Sequence, residues 1–200
     1  MVNWQQQSAL QHIQANEKTA CLRDEGLSVR ELPVSGKLIL QVNGNHEAVQ
    51  SAVTRAIGQH LPVLPNTSTT SKHTILWMKP TRWMILSEPE DIPQIRQKLE
   101  TALAEFHFMI SDASDSRTGI EVTGAHARTL MRRICALDLH EGSFPVGQCA
   151  QTLLVRIPLL LHQLDETPTF HLYVDRSVAR YAWDWLTDAA IALISSGKPR

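Results

Sequence analysis

Two places in the chain set a glycine and a histidine between a strand-like run and a helical one, Val42-x-Gly44-x-His46 and Val122-x-Gly124-x-His126. A helix that starts there points unpaired backbone N–H groups at whatever faces it, which suits an anion. A single glycine also permits a tight strand-to-helix turn with φ > 0. No second and third glycine and no P-loop lysine accompany either corner, so turning the chain is the reading the residues favour. Just downstream, Arg128 and Arg132 stand four apart on one helix face, with Arg133 beside them and Leu130, Met131 and Ile134 opposite. Such a face is either solvated or a docking surface whose guanidinium forks meet acidic groups of a partner. Asp138, His140 and Glu141 lie close together, but no further His or Cys stands at a recognised metal-ligand spacing. Gly142, Pro145 and Gly147 mark that stretch as a loop. Tyr181, Trp183 and Trp185 crowd one segment; Trp183 continues an apolar stripe through Leu186 and Ala190, whereas Trp185 falls off it. An aromatic off the stripe suits an interface, where Trp, Tyr and Arg are enriched. Arg128, Arg132 and Trp185 are therefore the candidate partner-interface residues. Nucleophilic catalysis has no support, because neither GxSxG nor HExxH occurs.

The chain that must position these groups has 200 residues, 43% hydrophobic and 20% charged, with a net charge of −1. That is the composition of a globular protein with a sizeable core. The near-neutral balance speaks against a nucleic-acid stripe or a basic membrane face. Three widely spaced cysteines, Cys21, Cys135 and Cys149, contain no CxxC pair and suggest reduced thiols, hence a cytoplasmic setting. The longest uncharged apolar run, "IPLLL", is too short to cross a bilayer.

Residues 1–25 are polar and Gln-rich and are expected to be poorly ordered. Strands are expected at 27–32 and 37–42, then a helix capped by Asn45 and stopped by Gly58. Residues 61–72 read as a loop. Strands follow over "HTILWMK" and "RWMILS", then a helix over 91–106 with Asp91 near its cap and Pro93 in its first turn. Strands over "HFMISD" and "TGIEVT" lead to a helix over 125–137. "CAQTLLVRIPLLLHQL" reads as one or two strands, "TFHLYVD" as another, and a long final helix is expected to be capped by Ser177. The two Gly-x-His corners echo each other, and each is followed later by a strand, a polar turn and a helix. The chain thus reads as α+β, two similar β-α-β-β-α halves spanning roughly 26–105 and 106–197 within one domain of 26–197.

The second half carries a family likeness. Asp112-x-Ser114-x-x-Arg117, Gly124-x-x-Ala127-Arg128, Cys135-x-Leu137-Asp138-Leu139-His140 and Phe144-Pro145-x-Gly147-x-Cys149-Ala150-x-Thr152 lead into Phe170-x-Leu172-Tyr173-Val174-x-Arg176-Ser177 and Trp183-Asp184-Trp185-Leu186. Together they resemble the gamma subunit of heterotetrameric sarcosine oxidase, strongly over 112–190 and more loosely over 27–111 through "SVREL", "LQVNG" and "RWMILS". The resemblance implies an aminomethyltransferase, folate-binding-domain-like fold and a subunit that contacts the large alpha subunit, with beta and delta in the same complex. Such complexes convert sarcosine to glycine. FAD, FMN, NAD, tetrahydrofolate and zinc are expected on the other subunits, and no cofactor in this chain. It transfers no catalytic, cofactor-binding or metal-binding residue to this sequence. Two alternatives stand beside it: a free-standing folate-binding or folate-dependent aminomethyltransferase-like protein, and the equivalent subunit of another N-methyl amino acid oxidising complex.

Overall fold

In the computed structural model the described residues are 8–10, 21–24 and 26–197. Most of the expected poorly ordered segment 1–25 lies outside them; within it, Cys21–Asp24 forms a strand, β1, paired antiparallel with the next one. The remaining strands are β2 (Leu27–Glu31), β3 (Gly36–Asn43), β4 (Ser68–Thr70), β5 (Thr74–Lys79), β6 (Arg82–Ser87), β7 (His107–Asp112), β8 (Arg117–Thr123), β9 (Cys149–Leu154), β10 (Ile157–Asp165) and β11 (Thr169–Asp175). The helices are α1 (His46–Ile57), α2 (Ile92–Ala102), α3 (Ala127–Ile134) and α4 (Ala179–Gly197).

The chain divides into two compact units. One comprises Met1–Val34, Asp115–Val146 and Gln151–Arg200; the other comprises Ser35–Ser114 and Gly147–Ala150. In the first unit a six-stranded sheet runs β1-β2-β8-β11-β10-β9. Its register places Val29, Val122 and Phe170 in one row and Ile120, Leu172 and Leu161 in the next. All six are fully buried, as alternation on a half-buried strand requires. Helix α4 packs on β1, β2 and β11 and against α3, burying Ala182, Trp183, Leu186 and Ala190.

In the second unit a five-stranded sheet runs β4-β5-β6-β3-β7, every pair antiparallel. Leu38, Leu40 and Val42 of β3 and Ile75, Trp83 and Ile85 of β5 and β6 form one core with Val49 and Val53 of α1 and Ile95 and Leu99 of α2. Asn45 caps α1 as expected, its side chain accepting from the N–H groups of Glu47 and Ala48, and Gly58 ends it in the left-handed region at φ 73°.

The strand orders of the two sheets match. Read from one edge, β2-β8-β11-β10-β9 corresponds to β7-β3-β6-β5-β4. Each sheet therefore takes one strand from the other half of the sequence: β2 pairs with β8, and β7 pairs with β3. The compact units consequently have different bounds from the sequence halves 26–105 and 106–197.

Several element ends differ from expectation. The expected loop 61–72 contains β4. Helix α2 stops at Ala102 rather than 106, because Leu103 turns into the core and the Phe106 N–H donates to its carbonyl at 2.8 Å. Asp91 sits at the cap position without a side-chain capping bond. Helix α3 covers 127–134 rather than 125–137, because Cys135 leaves the helix to bridge Leu154. Ser177 lies inside a 3-10 turn, Arg176–Val178, that precedes α4, so it does not cap the helix. The long apolar run yields two strands, β9 and β10.

Candidate functional site

The Gly124 corner is closed by its own neighbours. The Gly124 N–H donates to Pro168 O at 3.2 Å, His126 N–H to Gly26 O at 2.9 Å, and Ala127 N–H to Gly124 O at 2.8 Å. These donors are spent on the protein, so this corner does not offer them to an anion. Gly124 is required for a steric reason as well: a Cβ there would lie 2.4 Å from Gly26 O. At the matching corner the Asn45 side chain takes two of the free N–H groups of α1. Both corners are architecture.

Arg128, read from the sequence as a docking residue, is half-buried and engaged within its own unit. Its Nη1 donates to the Leu139 carbonyl, and its guanidinium lies 5.5 Å from the Phe170 ring centroid. Arg132 and Arg133, one turn on, are exposed. The Asp138–Glu141 stretch folds as a self-held loop: Asp138 accepts from the His140 N–H at 3.0 Å, and His140 Nδ1 accepts from the Gly142 N–H at 3.2 Å. The Ser143 hydroxyl, then the His140 N–H, holds the Asp138 carboxyl below its usual range. Among the described residues no group of three or more His, Cys, Asp or Glu is arranged to hold a metal.

The tryptophans separate clearly. Trp83 is core, its Nε1 donating to Pro62 O at 3.0 Å, and Trp77 packs beside it, half-buried. Trp183 is buried on α4. Trp185 is 40% exposed and Tyr181 48%, and their rings meet edge to face at 6.2 Å. Cys135 and Cys149 are buried free thiols. Cys149 donates to the carbonyls of Thr67 and Trp77, and burial pushes its thiol up to about 12.

A cluster that sequence reading missed runs across the polar face of the six-stranded sheet. Arg30, Glu121, His171 and His162 stand directly opposite one another on β2, β8, β11 and β10. Arg30 clasps Glu121 with a fork, Nε to Oε1 at 2.5 Å and Nη2 to Oε2 at 3.0 Å. His171 Nε2 lies 3.1 Å from Glu121 Oε2, and its Nδ1 lies 3.4 Å from the Tyr173 hydroxyl. Burial pushes the Glu121 carboxyl up, but the bonds from Arg30 and His171 outweigh it and the net shift is down. Burial lowers His171 despite Glu121, so the imidazole is neutral near pH 7, with Nε2–H donating to the carboxylate and Nδ1 accepting from the phenol. Burial, then His171, lowers His162 to about 4, and burial raises Tyr173. A phenol–imidazole–carboxylate series resembles a proton relay. Here its ring nitrogens are occupied by Tyr173 and Glu121, and Arg30 balances the one charge. That is the pattern of a locking network. Two surface hollows lie elsewhere: one of about 280 Å³ beside Arg117, Leu153, Pro158 and Asp175, the other of about 420 Å³ on the outer face of α1 beside His46 and His60.

With this geometry in hand, known proteins can be set beside the chain. The family model described as "Sarcosine oxidase, gamma subunit family" matches residues 42–192. Sarcosine oxidase subunit gamma of Corynebacterium sp. (strain U-96) is 25% identical over 176 residues, covering 88% of this chain and 84% of that protein. The same-named subunit of Arthrobacter sp is 27% identical over 144 residues, 71% of this chain and 70% of that one. Among solved structures, a chain of the heterotetrameric sarcosine oxidase from Corynebacterium sp. U-96, in complex with pyrrole 2-carboxylate, superposes with a TM-score of 0.85 at 24% identity, covering 97% of this chain and 98% of that chain. The glycine cleavage system aminomethyltransferase T from Bartonella henselae superposes with a TM-score of 0.61 at 12% identity, covering 81% of this chain and 45% of that one. The fold is thus α+β and aminomethyltransferase-like, as the sequence led us to expect.

Proposed function

The chain belongs to the sarcosine oxidase gamma subunit family, and from this we propose that it serves as a small, non-catalytic subunit of a complex that oxidatively demethylates sarcosine to glycine. The observation that carries the reading is near-full-length likeness in both directions to a protein named as that subunit, 88% of this chain against 84% of the relative. The matches favour the gamma subunit over a free-standing folate enzyme: the aminomethyltransferase likeness is one of fold, at 12% identity over under half of the larger protein. The absence of a catalytic role for this chain is supported by how its polar groups are spent. Among the described residues the relay-like series is saturated internally, and the N–H groups of the two Gly-x-His corners go to backbone carbonyls at Gly124, His126 and Ala127 and to the Asn45 side chain at Glu47 and Ala48.

In this reading the large alpha subunit is the direct partner, with beta and delta in the same assembly, and FAD, FMN, NAD, tetrahydrofolate and zinc reside on those subunits. Arg128, Arg132 and Trp185 are the contact residues, Arg128 being half-buried and also bonded to the Leu139 carbonyl. We place the complex in the cytoplasm; no helix among the described residues is long and apolar enough to cross a membrane. The matching strand orders support an internal duplication of the halves 26–105 and 106–197.

Co-expression with the large subunits tests this. The chain should co-purify with them, and the complex should release hydrogen peroxide with sarcosine while the lone chain shows no turnover. Full assembly and activity without this chain would remove the structural role. Faster turnover on another N-methyl amino acid would reassign the substrate and keep the subunit.

A further inference from the structure

The two sheets share five strand positions, but the first has a sixth strand. Beyond β2 lies β1, paired antiparallel over four residues. In the second sheet the strand equivalent to β2 is β7, and among the described residues the sheet ends there. The register says which backbone groups face that edge. The Ala113 N–H donates to Lys37 O at 2.8 Å, which makes 37 and 113 a hydrogen-bonded pair. Pairs two residues on repeat that pattern, so Ser111, Met109 and His107 turn their N–H and C=O groups toward β3. Phe108, Ile110 and Asp112 must turn theirs outward. The Val42 N–H agrees, donating to Thr81 O on the side of β3 away from β7.

Unguarded edges template foreign strands, and proteins blunt them with brevity, lysine, proline or bulges. The far edge of the same sheet, β4, is three residues long. The outer edge of β9 is bridged by Thr67 to Gln148 before it and by Cys135 to Leu154 at its end. Strand β7 has none of these devices. It is six residues, "HFMISD", without lysine or proline, and pairs with β3 without a register shift. Its side chains are equally unfinished: Phe108 and Ile110 pack on the core yet stay half-buried, and Met109 on the other face is 46% exposed.

We propose that β7 receives a strand from a partner subunit of the oxidase complex, which becomes the sixth strand of this sheet as β1 is of the other. The proposal rests on the subunit reading above. The occupant is an extended segment that bonds the outward groups of Phe108 and Ile110 and sets apolar side chains beside theirs, completing the rim of the core.

Amide hydrogen exchange on the whole chain, free and in the co-expressed complex, tests it. Amides of His107, Met109 and Ser111 should be protected in both states. Those of Phe108 and Ile110 should exchange freely in the lone chain and slow by ~100-fold in the complex. Ile110→Pro deletes one outward N–H without touching the ladder to β3, as an edge position allows. It should leave the lone chain folded and cut its co-purification with the large subunits at least ~10-fold, whereas Met109→Ser should not. A complex that assembles with both outward amides still exchanging freely overturns the strand-addition proposal and spares the subunit reading; failure of the wild-type chain to assemble overturns both. Protection that grows with the concentration of the lone chain assigns the edge to a second copy, and protection at every concentration assigns it to the chain's own segment. Either result overturns the partner strand.

Discussion

A methyl group on Gly124 would sit 2.4 Å from Gly26 O and 3.1 Å from the Leu27 nitrogen, and the backbone there has φ +114°. Gly124→Ala should cost about 3 kcal/mol of stability, through backbone strain and a collision no rotamer relieves. Gly58→Ala, at φ +73° with nothing within 4 Å of the added carbon, should cost only about 1 kcal/mol, the left-handed penalty alone. Urea denaturation of both variants reads the difference. Glu121 offers a second test at this scale. Glu121→Gln keeps one oxygen for Arg30 but turns an amide N–H₂ toward a donor, so the chain should lose about 2 kcal/mol. Arg30→Ala should lose less, because its side chain is 43% exposed and exposed partners are screened. The sequence did hold a trace of this row. Glu121 interrupts "GIEVT", His171 interrupts "TFHLYV" and His162 interrupts "LLLHQL", each a polar residue inside an apolar strand. What sequence could not supply was the register that aligns residues 30, 121, 162 and 171.

Among the elements, α3 separates two arginines that look alike in one dimension. Four residues apart, Arg128 and Arg132 share a face, yet one is folded over Phe170 and tied to Leu139 while the other is in solvent. Arg128→Lys should therefore lower stability by about 1 kcal/mol, since a compact ammonium cannot both lie over the Phe170 ring and reach the Leu139 carbonyl. Arg132→Ala should leave the lone chain within about 0.5 kcal/mol and weaken the complex instead. On α4, Trp185→Ala should likewise spare the fold and reduce affinity for the large subunits about tenfold or more, as loss of an aromatic anchor does. Binding measured alongside denaturation distinguishes the two effects. Most strands and helices were legible from alternation and helical spacing, and the Asn45 and Gly58 ends of α1 from cap chemistry. Helix ends were overextended where tertiary packing intervened. Leu103 and Cys135 have helix-compatible neighbours but leave their helices to join the core and a β-bridge. Strand β4 was invisible because "STT" carries turn residues, and only its pairing with β5 makes it a strand.

At the scale of the whole molecule, the reciprocal placement of β2 and β7 lay beyond local pattern, since it depends on which distant strand each edge meets. The sheet so formed buries ionisable groups, and these set how the chain responds to acid. Imidazoles ordinarily titrate near 6.5, and burial brings His162 down to about 4. Between those values the unfolded chain binds a proton that the folded chain refuses, so stability is complete above pH 6.5 and falls as pH drops toward 4. The loss from His162 alone approaches about 3 kcal/mol. His171 and His73 are lowered as well and push the same way. Glu121 adds to the loss at lower pH, because its carboxyl is held below 4.5 and must be protonated against Arg30 and His171. Glu31 opposes them: burial raises its carboxyl, so its protonation is eased in the folded state as pH falls. The histidines and Glu121 outnumber it. The urea midpoint of the chain should therefore hold steady from pH 8 to 7 and decline from 6.5 to 4. His162→Gln, which removes one refused proton, should flatten the slope across that interval whatever it does to stability at pH 7. An unchanged midpoint between pH 7 and 5 would mean that His162 and His171 titrate as exposed imidazoles do, and that the polar face of the sheet admits water.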